Sequence, residues 1–230
     1  MKRRLSWSAK DYAEMNPKKT KKVEKKKVQK NDDDDDSEGG DFDISKLFRG
    51  PSNPSCYTID NNIYFNDEIS METIAVLNRE IRNLQNKLLT VSIKMGIEPP
   101  PIKLHLTTYG GSVHAAFSAI SCIQSSKVPV HTVIDGYVAS AGTLISVCGK
   151  KRYIHKHSSM LIHELRSGTW GKMSVLEEEF ENLKKMMGKI KDLYVENSKL
   201  SKKELDVILK KDSDWYADEC LKHGLVDEII

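Results

Sequence analysis

The serine at position 140 lies in a run of small residues that could present a nucleophile. It is the fifth residue of Gly-Tyr-Val-Ala-Ser-Ala-Gly at residues 136–142. A serine hydroxyl becomes an effective nucleophile only when a neighbouring base removes its proton. Small side chains also let the start of a helix pack closely on a sheet, so for Ser140 taken alone a purely structural role stays open.

Two further segments supply groups that such a serine would need. His163 follows the apolar run Met-Leu-Ile at residues 160–162, and Gly110 with Gly111 follows the strand-like run at residues 104–109. A histidine can act as the base, and glycine amides can approach an oxyanion because no side chain intrudes. Each feature has an alternative explanation: a buried histidine bonded to a carbonyl, and a simple tight turn for the paired glycines.

The elements that must position these groups alternate between strands and helices. Hydrophobic periodicity predicts four strands and four helices after the N-terminal region. The strands are predicted at residues 57–65, 102–107, 130–134 and 159–162. The helices are predicted from Ser70 (with Thr73 as an alternative cap) to about residue 98, and at residues 113–125, 141–147 and 173–198.

Strands separated by helices indicate an α/β fold built from βαβ units around a largely parallel sheet. In such sheets the reacting groups gather at the carboxyl ends of the strands. The glycine pair, Ser140 and His163 each come directly after a predicted strand. The pattern therefore predicts that these three features converge at one edge of the sheet.

The ordered set of three motifs resembles the family of Clp protease proteolytic subunits (peptidase family S14, ClpP/crotonase fold). The family pattern is Pro-Gly-Gly-Ser-Val, then Gly-x-Ala-Ala-Ser-Met-Gly, then Met-Ile-His-Gln-Pro. This chain has Tyr-Gly-Gly-Ser-Val at residues 109–113, the run at 136–142, and Leu-Ile-His-Glu-Leu at 161–165. The resemblance extends from about Tyr57 to Ile230. It implies an α/β superhelix of βαβ units with a protruding handle helix at about residues 173–198.

The resemblance also implies roles for individual residues. Ser140 is the expected nucleophile and His163 the expected base, while the amides of Gly111 and Ala141 are expected to form the oxyanion hole. The family takes its third triad member from an aspartate ahead of the Gly-Leu-Val-Asp segment, found here at residues 224–227.

The position of that aspartate is not settled by counting. An ungapped count back from residues 224–227 reaches Ile208, which has no acid. A shortened loop brings Asp212 into place, and Asp212 is therefore the predicted third member. Asp214 is the alternative.

The resemblance implies a serine-type endopeptidase subunit that cleaves unfolded polypeptides. It implies assembly into heptameric rings, stacked as a tetradecamer, and an AAA+ unfoldase partner that uses ATP. The chain has no Gly-x-x-x-x-Gly-Lys-Ser/Thr loop, so we expect it to bind no cofactor of its own. Alternatives are a catalytically inactive structural ring subunit, a capsid-maturation-type protease of the same fold, and a crotonase-like acyl-CoA enzyme.

The N-terminal region differs sharply in charge from the rest of the chain. Residues 1–30 contain twelve Lys or Arg against three acids, and residues 31–43 contain eight acids and no base. Such a segment buries too little apolar surface to offset its ordering entropy. We therefore predict a disordered tail, basic and then acidic, at residues 1–50 and a peptidase domain at residues 51–230. Whether the tail is a removed propeptide stays open.

Composition limits the partners and the location. The lysine-rich run at residues 18–30 contains no aromatic residue of the kind on which single-strand binders stack bases, so nucleic acid is not an expected partner. No apolar run suits a signal peptide or a membrane span, so a soluble, cytoplasmic protein is expected, with nuclear or viral contexts left open. The four cysteines lack paired spacing, which argues against a zinc site and a disulfide framework.

Overall fold

A computed structural model describes residues 55–230 of the chain, so the tail predicted at residues 1–50 lies outside the described residues. The strands are β1 Cys56–Ile59, β2 Asn62–Asn66, β3 Ile102–Thr108, β4 Val130–Ala139, β5 Arg152–Ile154, β6 Ser159–Ile162, β7 Ser213–Tyr216 and β8 Glu228–Ile229. The helices are α1 Met71–Met95, α2 Val113–Gln124, α3 Ala141–Ser146, α4 Met173–Asn197, α5 Lys202–Ile208 and α6 Ala217–Lys222.

All eight strands join one sheet, and most neighbours run parallel. The main order is β1-β2-β3-β4-β5-β8, and β6 pairs with both β4 and β7. Only the β1–β2 and β6–β7 pairs among these strands are antiparallel. Helical crossovers connect the parallel strands β2, β3 and β4, as βαβ units require. The predicted α/β class is confirmed.

Strand β4 is the branch point of the sheet. Its first half pairs with β5 through residues 132–134, and its second half pairs with β6 through residues 137–139. The sequence prediction ended this strand at Ile134, and it was wrong in that respect. The polar Asp135 and the following Gly136 interrupt the hydrophobic pattern, but the backbone continues extended to Ala139. This continuation brings the end of β4 beside the end of β6.

The core lies between one face of the sheet and the helices packed on it. Along β3 the side chains alternate between buried and more exposed positions, as a strand with one covered face should. Helix α1 begins with a reciprocal capping box in which the Ser70 and Thr73 side chains bond to each other's backbone amides. Such a cap stabilises a helix by about 1 kcal/mol. The expectation of a helix start at Ser70 is confirmed.

The long helix α4 is buried only towards its C-terminal end. Ile190 and Tyr194 are its two fully buried residues. Its N-terminal half exposes apolar side chains: Met173, Val175 and Phe180 are 68%, 48% and 58% exposed. The helix therefore extends a partly apolar surface away from its contact with the core.

Three of the four cysteines pack in the core. Cys122, Cys148 and Cys220 are buried and unpaired. Burial raises the pKa of the Cys148 and Cys220 thiols to about 12, and it also raises the pKa of Cys122. Because the thiolate is the reactive form, these three residues are poor nucleophiles near neutral pH.

An ion pair fastens the C-terminal segment to the sheet at β5. The Arg152 guanidinium donates to both carboxylate oxygens of Asp227, at 2.5 and 3.1 Å, and to the Gly224 carbonyl at 3.0 Å. The Arg152 backbone amide also donates to Asp227 at 2.8 Å. Burial acts to raise the pKa of Asp227, but the hydrogen bonds and charge of Arg152 outweigh it, so the pKa is lowered.

This lowered pKa predicts a specific pH dependence of stability. A carboxyl with a depressed folded-state pKa contributes stability above its unfolded pKa of about 4, and the contribution disappears as pH falls through the folded value. We expect Asp227→Asn to lower the melting temperature at pH 7, and the difference from wild type to shrink between about pH 5 and pH 2. Thermal unfolding followed by circular dichroism over that range measures it. The exposed Glu98→Gln variant is the control, and a difference that stays constant with pH would contradict the prediction.

Candidate active site

Ser140 occupies a sharp turn between β4 and α3. Its φ and ψ are 55° and −127°, outside the regions that ordinary residues prefer. Such a conformation costs about 1–3 kcal/mol and persists only where the surroundings hold it. Here the Ser140 amide donates to the Leu161 carbonyl of β6 at 2.9 Å, and its carbonyl accepts from the Thr143 amide at 3.0 Å. The nucleophile candidate is therefore held in a strained conformation from both sides.

The paired glycines lie against this turn, and both positions require glycine. Gly110 and Gly111 have φ values of 98° and 141°, which L side chains rarely adopt. A Cβ at Gly110 would lie 2.5 Å from the Cβ of Ser140, and one at Gly111 would lie 2.3 Å from the Ile69 carbonyl oxygen. The tight-turn explanation alone does not account for the close approach to Ser140.

One cavity brings the predicted residues together. It has a volume of about 260 Å³, and Ser140, Ala141, Gly111 and His163 all contribute to its wall. Within the described residues, the amides of Gly111 and Ala141 donate to no other protein group. Two free N–H groups beside a serine are what an oxyanion hole requires. The convergence expected from the strand ends is therefore present in the fold.

His163 has the tautomer that a general base needs. Its Nδ1 lies 2.6 Å from the carbonyl oxygen of Glu164. A carbonyl can only accept, so Nδ1 donates its proton to Glu164, and in the neutral ring Nε2 is then the nitrogen that has a lone pair. No hydrogen bond joins Ser140 Oγ to the ring in residues 55–230, and such catalytic hydrogen bonds commonly tighten only when substrate binds.

Asp212 directly precedes β7 and is bonded elsewhere. The last pair of the β6–β7 register is Ile162 with Ser213, and His163 and Asp212 are the next residues beyond it. The Asp212 side chain, about half exposed, forms an ion pair with Arg166 instead of the histidine. It is not part of the cavity wall. The assignment of Asp212 stays a prediction, which the strand register supports.

The alternative acid, Asp214, has a different partner. It lies opposite Leu161 in the strand pair and accepts a hydrogen bond from the Tyr137 hydroxyl at 3.1 Å. Burial and this bond to Asp214 raise the pKa of Tyr137 to about 12. Asp214 fastens β7 to β4, whereas Asp212 is paired with Arg166, so each candidate acid has a partner other than His163 in this structure.

Comparison with known proteins identifies the group to which this chain belongs. The sequence model of the family described as Clp protease matches residues 54–230, more than half of the chain. The chain belongs to the Clp protease family. The cavity of this Clp protease family member is lined by Ser140, His163, Gly111 and Ala141, and the catalytic roles that the motifs predict for them stay predictions.

Individual relatives agree with the family assignment at modest identity. The ATP-dependent Clp protease proteolytic subunit 1 of Chlamydia abortus is 31% identical over 134 residues, covering 56% of this chain and 70% of the relative. The ATP-dependent Clp protease proteolytic subunit of Streptococcus suis is 27% identical over 154 residues, covering 64% and 79%. The corresponding protein of Streptococcus pneumoniae is 30% identical over 133 residues, covering 56% and 68%.

Sequence reasoning missed two features around the site of this Clp protease family member. One is the Arg166–Asp212 ion pair, which joins residues far apart in the chain. The other is the buried contact between Thr143 and Tyr194 behind the nucleophile.

In residues 55–230 there is no helix long and apolar enough to span a membrane, and no cluster of His, Cys, Asp or Glu suited to a metal ion.

Proposed function

We propose that this chain is a serine endopeptidase subunit that cleaves unfolded polypeptides through an acyl-enzyme. One observation carries the proposal: a strained Ser140 shares a cavity with a histidine in the basic tautomer and with two unoccupied backbone amides. Nucleophile, base and oxyanion donors are the minimum set for acyl transfer.

The reaction follows from the positions of these groups. Nε2 of His163 removes the proton from Ser140 Oγ as the oxygen attacks the peptide carbonyl, and the resulting oxyanion accepts from Gly111 and Ala141. His163 then gives the proton to the leaving amine as the C–N bond breaks. Water, deprotonated by the same histidine, attacks the acyl-enzyme and releases the second product with Ser140 restored.

Assembly into a chambered ring is the second part of the proposal. The relatives are named as subunits of an ATP-dependent protease, which implies larger assemblies for them. In this chain the exposed apolar residues on the N-terminal half of α4 offer a surface suited to contact between subunits. A heptameric ring, a paired-ring tetradecamer and an ATP-driven unfoldase partner extend the proposal.

Labelling with a fluorophosphonate tests the proposed chemistry directly. Intact-mass analysis of the full chain should show one adduct per subunit, and the same preparation should degrade an unfolded protein such as carboxymethylated α-lactalbumin. Assembly is measured separately by light scattering. A correctly assembled protein that forms no adduct would refute the peptidase function.

One specific observation favours a second candidate, a catalytically inactive structural subunit. The side chain of Asp212 is bonded to Arg166 in this structure, so the triad is not complete. An absence of adduct on assembled wild type would support this candidate.

Two isosteric variants separate the two candidate acids. We expect Asp212→Asn to slow labelling by about 10-fold or more, because we propose that Asp212 exchanges Arg166 for the imidazolium during the reaction and supplies its negative charge. Asp214→Asn should leave the labelling rate within about 2-fold of wild type, because its hydrogen bond is to Tyr137. Labelling rates at pH 7 measure both. Slow labelling of Asp214→Asn with normal labelling of Asp212→Asn would reverse the assignment.

A further inference from the structure

A buried hydroxyl pair lies behind the nucleophile and joins helix α4 to helix α3. Thr143 Oγ1 and the Tyr194 hydroxyl oxygen are 2.5 Å apart, and both residues are fully buried. Tyr194 also contributes to the wall of the cavity that holds Ser140, but almost all of its surface is buried, and burial raises the pKa of its hydroxyl, so it stays protonated.

The proton positions in this pair follow from a third atom. Thr143 Oγ1 lies 2.6 Å from the carbonyl oxygen of Ser140, to which it donates its single proton. The Tyr194 hydroxyl must therefore donate to Thr143. The opposite arrangement would leave two acceptor oxygens, those of Ser140 and Thr143, facing each other at 2.6 Å. The result is a directed chain from Tyr194 through Thr143 to the backbone of Ser140.

This chain of hydrogen bonds ends on the peptide unit of Ser140, whose conformation is strained. The Ser140 carbonyl accepts from both the amide and the hydroxyl of Thr143, while the Ser140 amide is held by Leu161. A donor whose own oxygen accepts a hydrogen bond is polarised and donates more strongly. Loss of the Tyr194 hydroxyl therefore weakens one of the bonds that hold Ser140 at a φ of 55°.

We propose that Tyr194 is a positioning residue for the reaction, acting through Thr143 to hold Ser140 in its attacking conformation. It does not act on substrate. The inference rests on the proposed peptidase function, since it assigns Ser140 as the nucleophile. It adds a contribution from α4, an element that the sequence motifs around Ser140 and His163 do not include.

Three variants test the chain one bond at a time. Tyr194→Phe removes the first hydroxyl, Thr143→Val removes the second, and Thr143→Ser keeps it. We expect Tyr194→Phe to slow fluorophosphonate labelling and peptide kcat by about 3- to 10-fold with KM nearly unchanged. Thr143→Val should slow both further, and Thr143→Ser should recover most of that loss. The double variant should be no slower than Thr143→Val, because Tyr194 acts only through Thr143.

Thr132→Val is the matched control. Thr132, on β4, is as buried as Thr143. Its hydroxyl donates at 2.6 Å to the carbonyl of Ser146, which lies at the end of α3 far from the nucleophile. Thr132→Val removes a hydrogen bond comparable to the one that Thr143→Val removes, and it should lower the melting temperature by a similar amount. It should nevertheless leave kcat and the labelling rate at wild-type values.

Hydrogen exchange read by mass spectrometry on peptides covering residues 140–146 gives a readout independent of activity. Faster exchange in Tyr194→Phe than in wild type, confined to the start of α3, supports the inference. This result would count even if wild type formed no adduct. The missing adduct by itself would refute only the peptidase function. The inference would be overturned if Tyr194→Phe and Thr143→Val both showed the same labelling rate, kcat and hydrogen exchange as wild type. Additive effects of the two changes would also overturn it.

Discussion

A Ser140→Ala variant is expected to form no fluorophosphonate adduct and to lose peptide hydrolysis by about 10⁴-fold or more. The change removes only the hydroxyl oxygen, and alanine has the same backbone requirements at that φ as serine. The hydrogen bonds that hold the turn come from the backbone and from Thr143, so they survive the substitution. The variant should therefore fold and assemble as wild type does.

The matched control is Ser121→Ala, on the exposed side of α2, where the hydroxyl bonds only to the backbone of its own helix. Intact-mass analysis and hydrolysis of an unfolded protein give the two readouts for both variants. An adduct on Ser140→Ala would place the nucleophile elsewhere. Loss of activity in the control would show that serine replacement acts through stability.

His163→Gln is expected to have the second-largest effect, a loss of about 10⁴-fold in kcat at pH 7. Glutamine can still donate a hydrogen bond to the Glu164 carbonyl, so the local backbone should be preserved, but it cannot take up a proton. The residual rate should rise with hydroxide concentration, because solvent must then remove the serine proton. In wild type His163 removes this proton instead, so the wild-type rate should depend less steeply on hydroxide concentration.

His157→Gln provides the comparison, because His157 is exposed and outside the cavity. Rates of peptide hydrolysis from about pH 6 to pH 9 distinguish the two variants. Equal pH profiles for wild type and His163→Gln would contradict the assignment of His163 as the base.

The sequence predicted which residues would lie together in those cases where each residue follows a strand. Gly111, Ser140 and His163 come just after β3, β4 and β6, so knowledge of a parallel sheet was enough to bring them together. The extent of β4 was not predictable from hydrophobicity, because Asp135 and Gly136 interrupt the pattern in the middle of an extended backbone.

Other parts of the site depend on contacts that no local pattern encodes. The pairing of Asp212 with Arg166 joins an exposed side chain that follows β6 to one that precedes β7, and it becomes visible only when the two strands are placed side by side. Tyr194 belongs to an amphipathic helix, where an aromatic residue indicates burial. Its hydrogen bond to Thr143 becomes visible only when α4 is placed against α3.

The hydrogen bond from the Ser140 amide to the Leu161 carbonyl has a consequence for how such a site can diverge. It links the strand carrying the nucleophile to the strand carrying the histidine through main-chain atoms alone. The backbone alone then fixes the separation of the two reacting groups, so neighbouring side chains can be replaced without changing it. Tyr109, Ala141 and Leu165 replace residues typical of the family, yet all three line the same cavity as Ser140 and His163. Replacements at these three positions can therefore change which substrates fit the cavity, while Ser140 and His163 keep their relative positions.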